Sequence, residues 1–200
     1  MSLSFLRMNN DDIGAFYIHK NLDGTDKIVF TRSSDEGENW SEPISCMECL
    51  ENQDYYVLNN DRVIKLKNGR ILFSVAKHTV LNTEKDFEPG EIHFFISDDD
   101  AKTFRKTETV FKCPFPQNPD GYEEPGLYQF TDGKIWCYIR TGLGFQYECF
   151  SEDNGENLSG GERQRVILAR TFMLDRDIYI LDESLSQLDI KNERKILKSL

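Results

Sequence analysis

One pattern recurs three times and constrains the fold more than any other feature of the chain. Residues 33–40 read SSDEGENW, residues 97–104 read SDDDAKTF and residues 151–158 read SEDNGENL. Each runs serine, any residue, aspartate, then a small residue two places on and a large apolar residue at the end. An aspartate so placed accepts hydrogen bonds from backbone N–H groups of its own turn, and glycine supplies a positive φ. The large last residue is expected to tuck between strands. Asp35, Gly37 and Trp40 make the full version; Ala101 and Phe104 soften the second, and Leu158 stands where the third wants an aromatic. Turns recurring roughly every 50 to 65 residues, with about four strands between them, predict propeller blades.

The intervening sequence agrees. IGAFYIHK, KIVFTRSS, RVIKLKNGRILFSVAKH, EIHFFISDDD and KIWCYIRTG are short, aromatic or β-branched runs that read as strands. Asn68-Gly69 and Asp132-Gly133 sit between such runs as hairpin signals. These features predict an antiparallel, mainly β architecture over residues 1–157.

At residue 158 the chain changes character. Residues 158–200 carry eight Lys and Arg against seven Asp and Glu, which leaves 16 against 28 in the first 157. Of the 22 Phe and Tyr only Phe172 and Tyr179 lie beyond 157, and no Gly or Pro follows Gly161. The formal charge of −11 disfavours a nucleic-acid partner, which needs Lys and Arg against phosphate. No apolar run is long enough for a transmembrane helix, and the start lacks a signal peptide, so a cytoplasmic chain is expected. The five cysteines then read as reduced thiols; Cys46 and Cys49 form a single C-x-x-C without a second pair, so strand or turn cysteines are expected there.

The repeated turns are similar to the Asp-boxes of sialidase-like β-propellers. YYVLNNDRVIKLKNGRILFSVAKH and GYEEPGLYQFTDGKIWCYIRTGLGFQYECFSEDNGE resemble members of that superfamily segment by segment. The resemblance implies two to three four-stranded blades. Sialidases use an arginine triad for the substrate carboxylate, an aspartate acid/base, and a tyrosine nucleophile assisted by a glutamate. By position, Glu124 matches that glutamate and Arg140 one of the arginines, flanking Asp132-Gly133; a structural ion pair is the other reading of the two. Asp61 and Arg62 in NNDR either face a propeller mouth or begin a strand. The acid/base motif, the nucleophile and the remaining arginines have no match, so a fragment without sialidase turnover is expected.

The tail carries a second set of motifs. LSGGERQRVILAR (158–170) is followed by DIYILDE (177–183) and SQLD (186–189). Ser159 and Glu162 make a capping box, and the glycines let backbone N–H groups approach an anion at a helix start. IYIL reads as a buried strand that ends in Asp182-Glu183, a pair suited to holding Mg²⁺ and orienting a water. The order and spacing resemble ABC-type ATPases. The resemblance implies a helix–strand–helix α/β piece of P-loop ATPase type over residues 158–200. It makes Ser159, Gly160, Gly161, Glu162 and Gln164 the signature motif that contacts nucleotide, Asp182 the Walker B metal residue and Glu183 the catalytic glutamate. The phosphate-cradling G-x-x-x-x-G-K-[ST] loop has no match. ATP and Mg²⁺ are therefore expected only when a partner ABC-type subunit completes the site, and the propeller part needs no cofactor.

GEN at 155–157 serves both patterns, so the seam lies within residues 151–158. The expected chain is a composite: a sialidase-lineage propeller fragment joined to half of an ABC ATP-binding domain, inactive alone. The alternative is an ATPase module that lends its signature motif and Walker B strand to a partner. A sialylated glycan, an ABC-type ATPase subunit and a second copy of the chain are the expected partners. Self-association follows from an open blade edge and the unpaired IYIL strand.

Overall fold

Twelve strands form three antiparallel sheets in the computed structural model, which describes residues 2–20, 26–50, 55–78, 89–113, 120–142 and 146–156. The first sheet is a meander of β1 (Leu3–Arg7), β2 (Ile13–Lys20), β3 (Asp26–Ser33) and β4 (Ile44–Ser45), paired in that order. The second holds β5 (Tyr55–Val57), β6 (Val63–Lys65), β7 (Ile71–His78), β8 (Glu91–Ser97) and β9 (Arg105–Lys112). β5 and β6 both pair with β7. Together they form one edge of the sheet, interrupted at residues 58–62, where Asp61 takes a left-handed φ of 54°. The third holds β10 (Tyr122–Gln129), β11 (Ile135–Thr141) and β12 (Tyr147–Ser151). The hairpins at Asn68-Gly69 and Asp132-Gly133 form as expected, between β6 and β7 and between β10 and β11.

The three recurring turns occupy one place in the blade. Each begins on the last residue of a blade's third long strand: Ser33 of β3, Ser97 of β8 and Ser151 of β12. In each, two successive residues adopt positive φ: Glu36 and Gly37, Asp100 and Ala101, Asn154 and Gly155. In each, the serine hydroxyl donates to the aspartate (2.7, 2.9 and 2.6 Å) and accepts from the N–H four residues on (2.9, 3.0 and 3.1 Å). Ala101 meets the left-handed requirement without glycine because this bond holds its N–H.

Two clusters join the blades. Phe16, Ile28 and Phe30 of the first blade pack on Phe73, Val75 and Phe95 of the second. On the opposite face of the second blade, Leu72, Ala76, Phe94 and Ile96 meet Ile135, Cys137, Ile139 and Cys149 of the third. The second blade is therefore covered on both sides, so residues 71–76 are buried without a break. Phe104 closes the first interface, its ring 6.0 to 6.4 Å from Phe16, Phe30 and Phe73. Trp40 departs from expectation. It is 41% exposed, and its Nε1 donates to Gly37 O at 3.0 Å. It occupies Phe104's place in the repeat, but among the described residues no neighbouring blade covers it.

None of the five cysteines forms a disulfide; Cys46 is buried, which pushes its thiol up, and Cys49 is exposed. The tail expected as helix–strand–helix lies outside the described residues.

Candidate functional site

Arg140 projects from β11 and meets two carboxylates of β10. Its Nη1 lies 3.1 Å from Glu123 Oε2 and 3.4 Å from Glu124 Oε1. A bulge explains why both are within reach. Register runs Glu123 opposite Arg140 and then Gly126 opposite Tyr138, so the paired strand skips Glu124 and Pro125. Glu124 sits in the bulge with φ 46° and is 45% exposed on its side chain. The structure thus brings together the two residues matched from sequence, and adds Glu123 as the direct cross-strand partner. Sequence spacing selected Glu124 because a bulge leaves no mark in the spacing of residues. Burial pushes the Glu123 carboxyl up, against the opposing pull of the Arg140 guanidinium.

Arg62 takes part in a separate arrangement. Its backbone N–H donates to Ser4 Oγ at 3.0 Å, which ties the interruption between β5 and β6 to the first blade. Its guanidinium crosses to the third blade, where Nη1 donates to Tyr138 Oη at 2.6 Å and Cζ lies 5.3 Å from the ring centroid. Tyr138 reaches inward because its ring lies directly over Gly126, where a β-carbon would approach Cζ to 2.1 Å. The Nε of Arg62 is buried without a hydrogen-bond partner among the described residues. Asp61, its neighbour, donates its backbone N–H to Leu3 O. Arg62 links three blades; the sequence signal was the charged pair in NNDR, read as facing a propeller mouth or beginning a strand.

The arrangement offers fixed cations beside carboxylates and a phenol on one side of the third blade. Both carboxylates meet Nη1 of Arg140, whose side chain is 40% exposed, and they offset its positive charge toward an anionic ligand. No group of three metal-ligating side chains forms among the described residues. Ser159, Gly160, Gly161, Glu162, Gln164, Asp182 and Glu183 lie outside the described residues. Among those described, no helix is long and apolar enough to cross a membrane.

Comparison with solved structures defines the class of this fold. The described architecture is similar to a Hadza microbial sialidase, with a TM-score of 0.60 at 14% identity over 82% of this chain and 33% of that one. It is also similar to the intramolecular trans-sialidase of Ruminococcus gnavus, with a TM-score of 0.52 at 24% identity over 68% of this chain and 26% of that one. At such identities the likeness is one of fold, a sialidase-like β-propeller.

Sequence comparison adds the other part. The ABC transporter family matches residues 62–186, and the chain belongs to that family. The ATP-dependent lipid A-core flippase of Neisseria meningitidis is 36% identical over 94 residues, covering 46% of this chain and 15% of that protein. The chain thus corresponds to a small part of that relative's length. Within the family match, the described residues from 62 to 156 fold as antiparallel blades, so both parts of the composite are present in one chain.

Proposed function

We propose that the chain joins a propeller module of sialidase lineage, residues 1–157, to the signature-to-D-loop half of an ABC ATP-binding domain, residues 158–200, and that neither part turns over substrate by itself. The observation that carries this reading is the third turn. It keeps the serine–aspartate–glycine geometry of the other two through Glu156. In the second blade the next strand opens at Arg105, the residue after the turn's last position. The corresponding residue here is Ser159, and the sequence at that point is the signature pattern instead.

Absence of turnover is supported by the state of Arg140. Its guanidinium faces Glu123 and Glu124, and the sequence supplies no match for the acid/base, nucleophile or further arginines of a sialidase. A fluorogenic sialoside is the test. The chain releases no aglycone above buffer, and Glu124→Gln leaves the trace unchanged. Steady release that Glu124→Gln abolishes would overturn the reading.

A second reading rests on the family match. In it, Ser159, Gly160, Gly161, Glu162 and Gln164 present a signature motif to nucleotide held by a partner ABC subunit. Asp182 then holds Mg²⁺ through water, and Glu183 orients the attacking water. Association with an intact ABC subunit that strengthens in ATP relative to ADP supports this reading. Equal association in both nucleotides removes it.

A further inference from the structure

The internal repeat gives every blade two distinct faces, and the two contacts between blades use them in the same way. Register fixes which residues share a face. Phe16 opposite Phe30 looks toward the second blade, and Ala15 opposite Thr31 looks away from it. In the second blade, Phe73 opposite Phe95 looks back to the first, while Leu72 opposite Ile96 looks on to the third. In the third, Cys137 opposite Cys149 looks back, and Trp136 opposite Phe150 looks on. Forward face meets backward face at both junctions. The backward face of the first blade and the forward face of the third meet no further blade among the described residues.

Both of those faces carry exposed aromatics. On the first blade Phe5 is 55% exposed and Trp40 41%, with ring centroids 6.4 Å apart, beside a groove of about 460 Å³ that Ile13 and the Arg7–Glu36 ion pair also line. On the third blade Tyr128 is 53% and Phe130 37% exposed, with ring centroids 5.2 Å apart; Phe130 stacks on Trp136 in turn. The first pair has an internal precedent. Phe104 stands in Trp40's place in the next repeat, and there the forward face of the preceding blade covers it.

We infer that the forward face of the third blade of one copy docks on the backward face of the first blade of a second copy, repeating between chains the junction made twice within each. The occupant is a second copy because, among the described residues, the first blade offers an unmatched backward face of the kind that receives a forward face at both junctions within the chain. Within one chain that blade is separated from the third by the whole second blade. The proposal rests on the propeller reading of residues 1–157 and not on residues 158–200. Such a contact is head-to-tail, so it closes into a ring or grows into a filament. Clustered aromatics on each side provide the kind of anchors that dominate interface energy.

Sedimentation velocity on the full chain tests this with Phe5→Glu and Tyr128→Glu, both at exposed positions, with near-UV circular dichroism to verify that each retains its fold. The wild type assembles reversibly with concentration. Each variant alone associates at least about 30-fold more weakly, the loss expected of one central aromatic anchor. Mixed in equal amounts they form a heterodimer and nothing larger, because each retains the face the other lacks. Three results would overturn the inference: a monomeric wild type at high concentration, a single variant that assembles like wild type, or a mixture that stays monomeric. Should either glutamate variant lose its near-UV signal, Phe5→Gln and Tyr128→Gln replace the pair under the same criteria. Ile180→Asp separates the alternative of pairing through residues 178–181; wild-type assembly lost in that variant counts against the blade contact.

Discussion

Asp99 accepts hydrogen bonds from the backbone N–H groups of Lys102 and Thr103 and from the hydroxyls of Thr103 and Ser97, at 2.6 to 3.1 Å. Burial alone would raise its carboxyl, but these donors outweigh that and hold it at about 2. A carboxyl depressed below its ordinary value stabilises the fold fully above about pH 4, and that contribution is lost as pH falls toward 2. Asp99→Asn should therefore melt about 2–4 °C below wild type at pH 6, the scale expected for losing a charged acceptor in a partly solvated turn. The gap should narrow steadily between pH 4 and pH 2 in a calorimetric series. A gap independent of pH would mean that the carboxylate charge is not what organises the turn. The three serine–aspartate turns were plain in the sequence because each is a local structure, complete within about eight residues. Glu123 was not. Its partnership with Arg140 depends on the bulge at residues 123–126, which sequence spacing does not encode. Arg62 was legible only as half of the charged pair in NNDR, and its contact with Tyr138 follows from the packing of two blades.

Phe73 and Phe94 sit on adjacent strands, fully buried, but on opposite faces of the second blade. Truncating either removes a large core ring and leaves a cavity, at a cost of about 3–5 kcal/mol. The two changes should nonetheless act on different junctions. Phe73→Ala should speed hydrogen exchange in β2 and β3, where Phe16 and Phe30 lose their partner ring. Phe94→Ala should do so in β11 and β12, across the second cluster. Uniform acceleration across all three sheets from either variant would show that the blades do not behave as separable units. This arrangement was partly visible beforehand. RVIKLKNGRILFSVAKH read as strand around the Asn68-Gly69 hairpin, but the burial of residues 71–76 on both faces, Ser74 included, follows from the blades packed on either side. The interruption that splits β5 from β6 falls at NNDR, where Asp61 and Arg62 read as either facing a propeller mouth or beginning a strand, and β6 follows from Val63.

At the scale of the whole molecule, the chain carries a sialidase-like propeller fold and an ABC transporter family match that runs from the blades into residues 158–186. Among the described residues, both interblade clusters are built from positions no later than Cys149. The composite proposal predicts blade cores that do not depend on the segment that begins at Leu158. The expected boundary at residue 158 was readable as a change of composition, glycine usage and charge at one place. The role of the tail was not, because motif spacing identifies a lineage without supplying the partner groups that complete its site. Limited trypsinolysis of the full chain, followed by mass spectrometry and near-UV circular dichroism, tests the composite most directly. The first cuts should fall at Arg163, Arg165, Arg170 or Arg176, leaving an N-terminal product with an unchanged dichroism spectrum. First cuts at Lys67, Arg70, Lys102 or Arg105, or loss of the aromatic signal in the same phase as cleavage in the tail, would contradict a propeller that stands independently of the ATPase half.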